Sequence, residues 1–181
     1  QRVAERTQAL EEANQRLSEQ AMRDPLTGLA NRTALQQHLN QALSRNQRRP
    51  ALLAVMLIDL DGFKPINDHY GHGFGDRVLA EIAQRLNLHK RESDLAARLG
   101  GDEFVMVCEN VHSAEAVQQL AERLLDRLNQ PLTLDGHTVH VGASIGIAMS
   151  HDKDDTTTLI RRADAAMYQA KGAGRNRTQL G

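Results

Sequence analysis

Two carboxylates, Asp102 and Glu103, stand directly behind two glycines, Gly100 and Gly101, in the run Arg98–Phe104 (RLGGDEF). Paired glycines open a tight turn and leave room for a ligand to approach the backbone. The apolar residues Phe104, Val105, Met106 and Val107 then read as the second arm of a hairpin whose tip presents both acids. Adjacent carboxylates on such a turn suit a hard divalent cation and the phosphates it carries. A third acid has the same promise. The apolar run Leu52–Ile58 reads as a buried strand ending at Asp59, and in an open sheet ligands gather beyond strand ends. Alternation turns Asp59 and Asp61 to one side, so Asp59, Asp102 and Glu103 are expected to share a metal. Asp61 is expected instead to cap the helix that follows.

Four ordered blocks carry a resemblance: Asp24–Arg32 (DPLTGLANR), Asp59–Asp76 (DLDGFKPINDHYGHGFGD), Gly100–Phe104 (GGDEF) and Asp164–Asn176 (DAAMYQAKGAGRN). With them the chain resembles a GGDEF domain, the diguanylate cyclase family, from Asp24 nearly to its C-terminus. The resemblance implies a palm-like, ferredoxin-like α/β (α+β) nucleotidyl cyclase domain with a mixed central sheet flanked by helices. It implies condensation of two GTP molecules into cyclic di-GMP with release of pyrophosphate, using Mg²⁺ or Mn²⁺. Asp59, the Leu60 carbonyl, Asp102 and Glu103 are then the expected metal ligands. The family also gives the position of Asp102 the role of base for the 3′-hydroxyl, and the residues alone do not separate base from ligand.

The substrate contacts follow in the same way. Gly62, Phe63 and Lys64 open a helix whose free amides suit β- and γ-phosphates, and Lys64 adds a charge that stabilises the transition state. Lys171 and Arg175 form a second cationic pair for the terminal phosphates, although basic residues also commonly close a helix. Asn67 and Asp76 are placed to read guanine, whose N1–H and exocyclic amine a carboxylate accepts together; each is also an ordinary helix-capping residue. His72, between two glycines, either touches the nucleotide or is a surface histidine. Arg91 and Asp94 match the family's RxxD site, where product binds away from catalysis and feedback inhibition follows; without the resemblance they are an ordinary exposed pair. One domain holds one GTP while the reaction consumes two, so activity calls for a homodimer.

The elements that must position these groups are legible in outline. Residues 1 to 23 lack Gly and Pro, and Val3, Leu10 and Leu17 recur every seven residues, the mark of a weak coiled-coil helix linking to an upstream domain. A solvated helical extension is the competing expectation. Asp24–Pro25 breaks this helix and begins the domain at 24–181. Helices are expected at 32–45, 63–70, onward to His89 after a glycine-rich turn at Gly71, Gly73 and Gly75, at 113–129 and at 157–171. Strands are expected at 51–59, 94–99, 103–108 and 177–180, with a β-ribbon over 132–149.

Composition narrows the class further. With 22 basic and 23 acidic residues among 181, the net charge of −1 offers no field for nucleic acid, which opposes a polynucleotide-directed transferase. The single cysteine, Cys108, lies in an apolar strand and is expected to be a buried thiol. No apolar run reaches membrane-spanning length and no secretory signal is present, so a cytoplasmic fragment without membrane contact is expected, cut from a longer protein because it starts at Gln1. The remaining alternative is a catalytically silent module that only binds cyclic di-GMP at Arg91 and Asp94. Intact Asp59, Lys64, Asp102, Glu103, Lys171 and Arg175 weigh against it.

Overall fold

The computed structural model describes residues 2–48 and 51–181. In chain order the elements are α1 (Arg2–Ala21), α2 (Arg32–Arg48), β1 (Leu52–Asp61), α3 (Phe63–Tyr70), α4 (His72–His89), β2 (Leu95–Gly100) and β3 (Glu103–Val111). There follow α5 (Ala114–Leu128), β4 (Leu132–Leu134), β5 (His137–Val139), β6 (Gly142–Met149), α6 (Thr156–Gly172) and β7 (Arg177–Leu180).

A strand as continuously apolar as Leu53–Ile58 is stable only with both faces covered, and β1 takes the middle of a five-stranded sheet ordered β2-β3-β1-β6-β7. It runs antiparallel to both β3 and β6, and only β6 and β7 are parallel, so the sheet is mixed and mostly antiparallel. Alternation divides β1 between two cores. Ala54, Met56, Ile58 and Leu60 pack with Phe104 and Met106 beneath α3, α4 and α5, through residues such as Ile66, Val78, Ile82 and Leu124. Leu53, Val55 and Leu57 pack with Val105 and Val107 beneath α2 and α6, through Leu35, Leu39, Leu159 and Met167. Asp59 and Asp61 continue this second face, at the end where α6 finishes. Gly146 sets the depth of α6: a Cβ there would stand 2.1 Å from the Ala163 carbonyl oxygen and 2.2 Å from the Met167 amide, so only glycine lets the helix lie this close. Lys171 is one helical turn further on.

Three expectations about elements are corrected. The first strand runs to Asp61, because Leu60 and Asp61 still pair with Ala143 and Gly142 of β6. The glycine-rich segment is not a turn: Gly71 alone precedes α4, and Gly73 and Gly75 lie inside it. The ribbon over 132–149 divides at His140 into a separate β4–β5 hairpin and a β6 that joins the main sheet beside β1. Cys108 is buried, as expected, and burial pushes its thiol up to about 12. No helix among the described residues is long and apolar enough to cross a membrane.

α1 stands apart from this packing. It buries no residue, and Val3, Leu10 and Leu17 are exposed. Its end is tied down by Asn31, whose side chain donates to the Ala21 carbonyl at 2.7 Å and whose amide donates to the Met22 carbonyl at 2.9 Å.

Candidate active site

The hairpin between β2 and β3 turns on Gly100 and Gly101, both at positive φ (139° and 50°), which puts Asp102 at the tip and Glu103 first in β3. Two contacts hold that tip. The Leu60 amide donates to the Asp102 carbonyl at 3.2 Å, and Arg98 Nε donates to the Gly101 carbonyl at 3.0 Å. Arg98 in turn donates to both carboxylate oxygens of Asp24, at 3.0 and 3.2 Å. Asp24 also accepts from the Thr27 amide (2.8 Å) and hydroxyl (2.7 Å). Burial alone would raise its carboxyl; the Thr27 hydrogen bonds and the Arg98 charge outweigh that and lower it. A chain of bonds therefore runs from the segment after α1 to the glycine turn. In sequence Asp24 reads only as a helix breaker, and nothing in its spacing announces a partner 74 residues away.

Asp59 is buried at the end of the continuous apolar strand, opposite Glu103 in the β1–β3 ladder and opposite Ser144 in the β1–β6 ladder. Lys171, reaching down from the last turn of α6, donates to Asp59 Oδ2. Asp59 Oδ1 is buried with no hydrogen-bond partner among the described residues. Asp102 lies close enough to feel this charge. Burial first, and the neighbouring Asp59 carboxylate next, raise the Asp102 carboxyl above the usual aspartate range, against a smaller pull from Lys171. Burial would lower the Lys171 ammonium, yet its hydrogen bond to Asp59 and the charges of Asp59, Asp102 and Asp61 raise it.

These observations decide whether a cation fits. Two crowded acids and an unpartnered buried carboxylate oxygen leave negative charge that one ammonium only partly offsets. The donors are all hard oxygens, which suits Mg²⁺ or Mn²⁺. Among the described residues no three His, Cys, Asp or Glu side chains gather into a metal cage. Mg²⁺ is commonly held by one or two carboxylates together with substrate phosphates and water, and the Asp59–Asp102 pair meets that demand.

The remaining expected residues lie on α3, on α4 and in the turn after α6. α3 starts behind Gly62 (φ 75°) without a side-chain cap, so its first amides are open to an anion. Asp61 does not cap it, contrary to expectation. Its carboxylate turns to β6 and the far turn, accepting from the Ser144 hydroxyl and the Asn176 amide. The Phe63 ring is buried in the core, so its amide is what Phe63 can offer a ligand, whereas Lys64 is exposed. Asn67 Oδ1 is buried and without a partner among the described residues, lying where a Cβ on Gly75 would be, 1.6 Å away. The glycine inside α4 is thus the space into which Asn67 packs. Asp76, the next residue, is exposed, so the buried acceptor between α3 and α4 is Asn67 rather than Asp76. His72 and Arg175 are exposed as well.

Arg91 and Asp94 do come together, away from this centre. Arg91 donates to Asp94 through its amide (3.0 Å), Nε (3.1 Å) and Nη2 (2.9 Å), and through Nη2 to the Glu109 carbonyl (2.6 Å). The Asp94 side chain is 1% exposed and that of Arg91 46%. The Glu109 carboxylate is itself held by Arg45 at 2.7 Å.

The mostly antiparallel sheet, the acidic strand end and the uncapped helix that follows it agree with the resemblance to a GGDEF domain. The match to "Diguanylate cyclase, GGDEF domain" spans residues 21–177, and the chain belongs to that family, whose members in general depend on a divalent metal. It is 46% identical over 169 residues to the bifunctional diguanylate cyclase/cyclic di-GMP phosphodiesterase MucR of Pseudomonas aeruginosa, covering 93% of this chain and 24% of MucR. It is 41% identical over 173 residues to the diguanylate cyclase TpbB of the same species, covering 94% of this chain and 40% of TpbB. The crystal structure of the coiled coil and GGDEF domain of DgcB from Caulobacter crescentus, in complex with c-di-GMP, superposes with a TM-score of 0.92 at 28% identity, covering 99% of this chain and 97% of that one. The chain thus spans about a quarter of MucR and two-fifths of TpbB.

Proposed function

We propose that this chain is the catalytic domain of a metal-dependent diguanylate cyclase that condenses two GTP molecules into cyclic di-GMP and pyrophosphate. The observation that carries the reading is the crowded Asp59–Asp102 pair, with its unpartnered oxygen, at the end of the strand that Gly62 joins to the uncapped start of α3.

In this reading the α3 amides and Lys64 take the β- and γ-phosphates, and Lys171 and Arg175 take the terminal phosphate from the other side. Asn67 and Asp76 read guanine, and His72 lines the nucleotide's path. Asp59 and Asp102, with the Leu60 carbonyl and Glu103, hold Mg²⁺ or Mn²⁺, which neutralises the phosphates and supports the leaving pyrophosphate. Asp102 is suited to two duties: its raised carboxyl holds a proton more readily than an ordinary aspartate, so it can accept the 3′-hydroxyl proton if one oxygen stays off the cation. The second half-site comes from a second copy. The exposed heptad positions Val3, Leu10 and Leu17 of α1 are the seam that brings the copies together, and residues 1–23 serve as the signalling helix to an upstream domain. Product binds at Arg91 and Asp94 and inhibits, a reading supported by cyclic di-GMP in the DgcB complex.

The test is incubation of the purified protein with GTP and Mg²⁺, nucleotides being resolved by chromatography. Cyclic di-GMP is the expected product, and its formation should fall when Leu10 and Leu17 are both changed to Asp. Unchanged GTP with tight binding of added cyclic di-GMP would replace this reading with that of a receptor module.

A further inference from the structure

We infer that Asp61 is a positioning residue for triphosphate binding: its carboxylate fixes the turn after α6, and so the reach of Lys171 and Arg175 toward the phosphates. The inference rests on the reading of the site as a GTP site.

Asp61 shares a sheet face with Asp59, but its surroundings are opposite in kind. Asp59 keeps one oxygen unpartnered, whereas both Asp61 oxygens are engaged. Asp61 accepts the Ser144 hydroxyl through both oxygens, at 2.9 and 3.1 Å, and the Asn176 amide at 2.8 Å. An acid so engaged is poorly placed to be a cation ligand, and it leaves the start of α3 uncapped.

The turn it holds needs holding. Gly174, Arg175 and Asn176 have φ values of 117°, 62° and 47°, so two successive side-chain-bearing residues lie in the left-handed region. Such residues avoid that region, and a pair persists only where the surroundings impose it. Within the turn, the Ala173, Gly174 and Arg175 amides donate back to Gln169, Lys171 and Ala170 carbonyls. Those bonds close the helix and stop at Arg175. The next amide, Asn176, is the one that Asp61 receives. Immediately after it Arg177 pairs with Ser144 at the start of the β6–β7 ladder. Asp61 and the fully buried Ser144 therefore form the anchor where the cationic turn meets the sheet. Lys171 precedes the turn and Arg175 sits in it, so releasing the anchor frees both cations while leaving Asn67, packed between α3 and α4, untouched.

The experiment compares binding of GTP and GMP, by calorimetry in Mg²⁺, to the unaltered protein and to Asp61→Asn. The amide puts a donor where the Ser144 hydroxyl or the Asn176 N–H must donate. GTP affinity should fall about tenfold or more, GMP affinity should stay within about twofold, and KM should rise far more than kcat falls. Ser144→Ala, a gentler change, should show the same GTP-selective loss at smaller size, which keeps the test decisive if Asp61→Asn folds poorly. In a Lys171→Ala, Arg175→Ala background, Asp61→Asn should add nothing further, since it acts through those residues. Equal losses of GTP and GMP binding, no loss at all, or a shifted Mg²⁺ requirement with intact GTP preference would overturn the inference. An unaltered protein that binds GTP no better than GMP would overturn the site reading itself, and this inference with it.

Discussion

The β2–β3 hairpin carries an ionic pair at each end, and the two are built in opposite ways. At the turn, Asp59 and Asp102 are like charges crowded together, with Lys171 as partial relief and one buried oxygen unpartnered. At the open end, Arg91 and Asp94 are unlike charges joined by three hydrogen bonds, with a fourth from Arg91 to the Glu109 carbonyl. The Arg91 guanidinium is raised further, first by its hydrogen bond to Asp94. A pair that is short of a partner is organised for a ligand before the ligand comes. A satisfied pair stabilises the fold on its own, and a ligand there must either use the exposed edge of Arg91 or exchange one set of bonds for another. In the proposed reading, catalytic demand belongs at the first end and regulation at the second.

The largest effect that follows is on turnover. Asp59→Asn or Asp102→Ala should lower kcat by at least about a thousandfold, roughly 4 kcal/mol of transition-state stabilisation, with circular dichroism and thermal unfolding near those of the parent. Arg91→Ala should leave the initial rate within about twofold. A near-normal rate in Asp59→Asn, or a collapsed one in Arg91→Ala, would erase the division between the two ends.

A smaller effect is expected at the open end, in inhibition and stability together. Arg91→Ala should raise the product inhibition constant about tenfold or more, some 1.4 kcal/mol. It also leaves the Asp94 carboxylate buried with only the Arg91 backbone amide as partner. Water can reach in where Arg91 was half exposed, so the cost is nearer that of an unmet hydrogen-bonding group than of a fully buried ion, about 1–2 kcal/mol or roughly 2–8 °C in Tm. Unchanged product sensitivity, read from progress curves with added cyclic di-GMP, would remove Arg91 from any inhibitory site.

What could be read from residue types alone follows the same physical line. β1 is legible because an unbroken apolar run has few other uses, and Asp59 stands out because it interrupts that run. The glycines of α4 are misread as a turn because glycine usually marks one. Here Gly75 is required by the Asn67 side chain packed against it, which is a tertiary fact. The same holds for Asp61, whose position after a strand and before a helix is that of a cap. Its partners, Ser144 and Asn176, lie 83 and 115 residues away. Local chemistry announces which groups are reactive, and only the folded chain shows which polar groups hold them in place.

The smallest effect is also the most direct probe of crowding. A carboxyl raised by folding holds its proton more tightly folded than unfolded. Its contribution to stability is therefore present at acid pH and is lost as pH climbs through the folded-state value. At neutral pH Asp102 is then a net cost that the neutral, isosteric Asp102→Asn removes. Because the side chain is partly open to screening water, the gain should be no more than about 1 kcal/mol, or roughly 2–4 °C in Tm at pH 7 without divalent cations. It should vanish below about pH 4, where the parent is protonated too. Mg²⁺ should reverse the order, since a cation at a hundred times its Kd adds about 2.7 kcal/mol to a protein that binds it and far less to one lacking the ligand. If Asp102→Asn is instead less stable at neutral pH in metal-free buffer, the carboxylate is serving the fold as a hydrogen-bond acceptor, and the contrast between the two ends of the hairpin disappears.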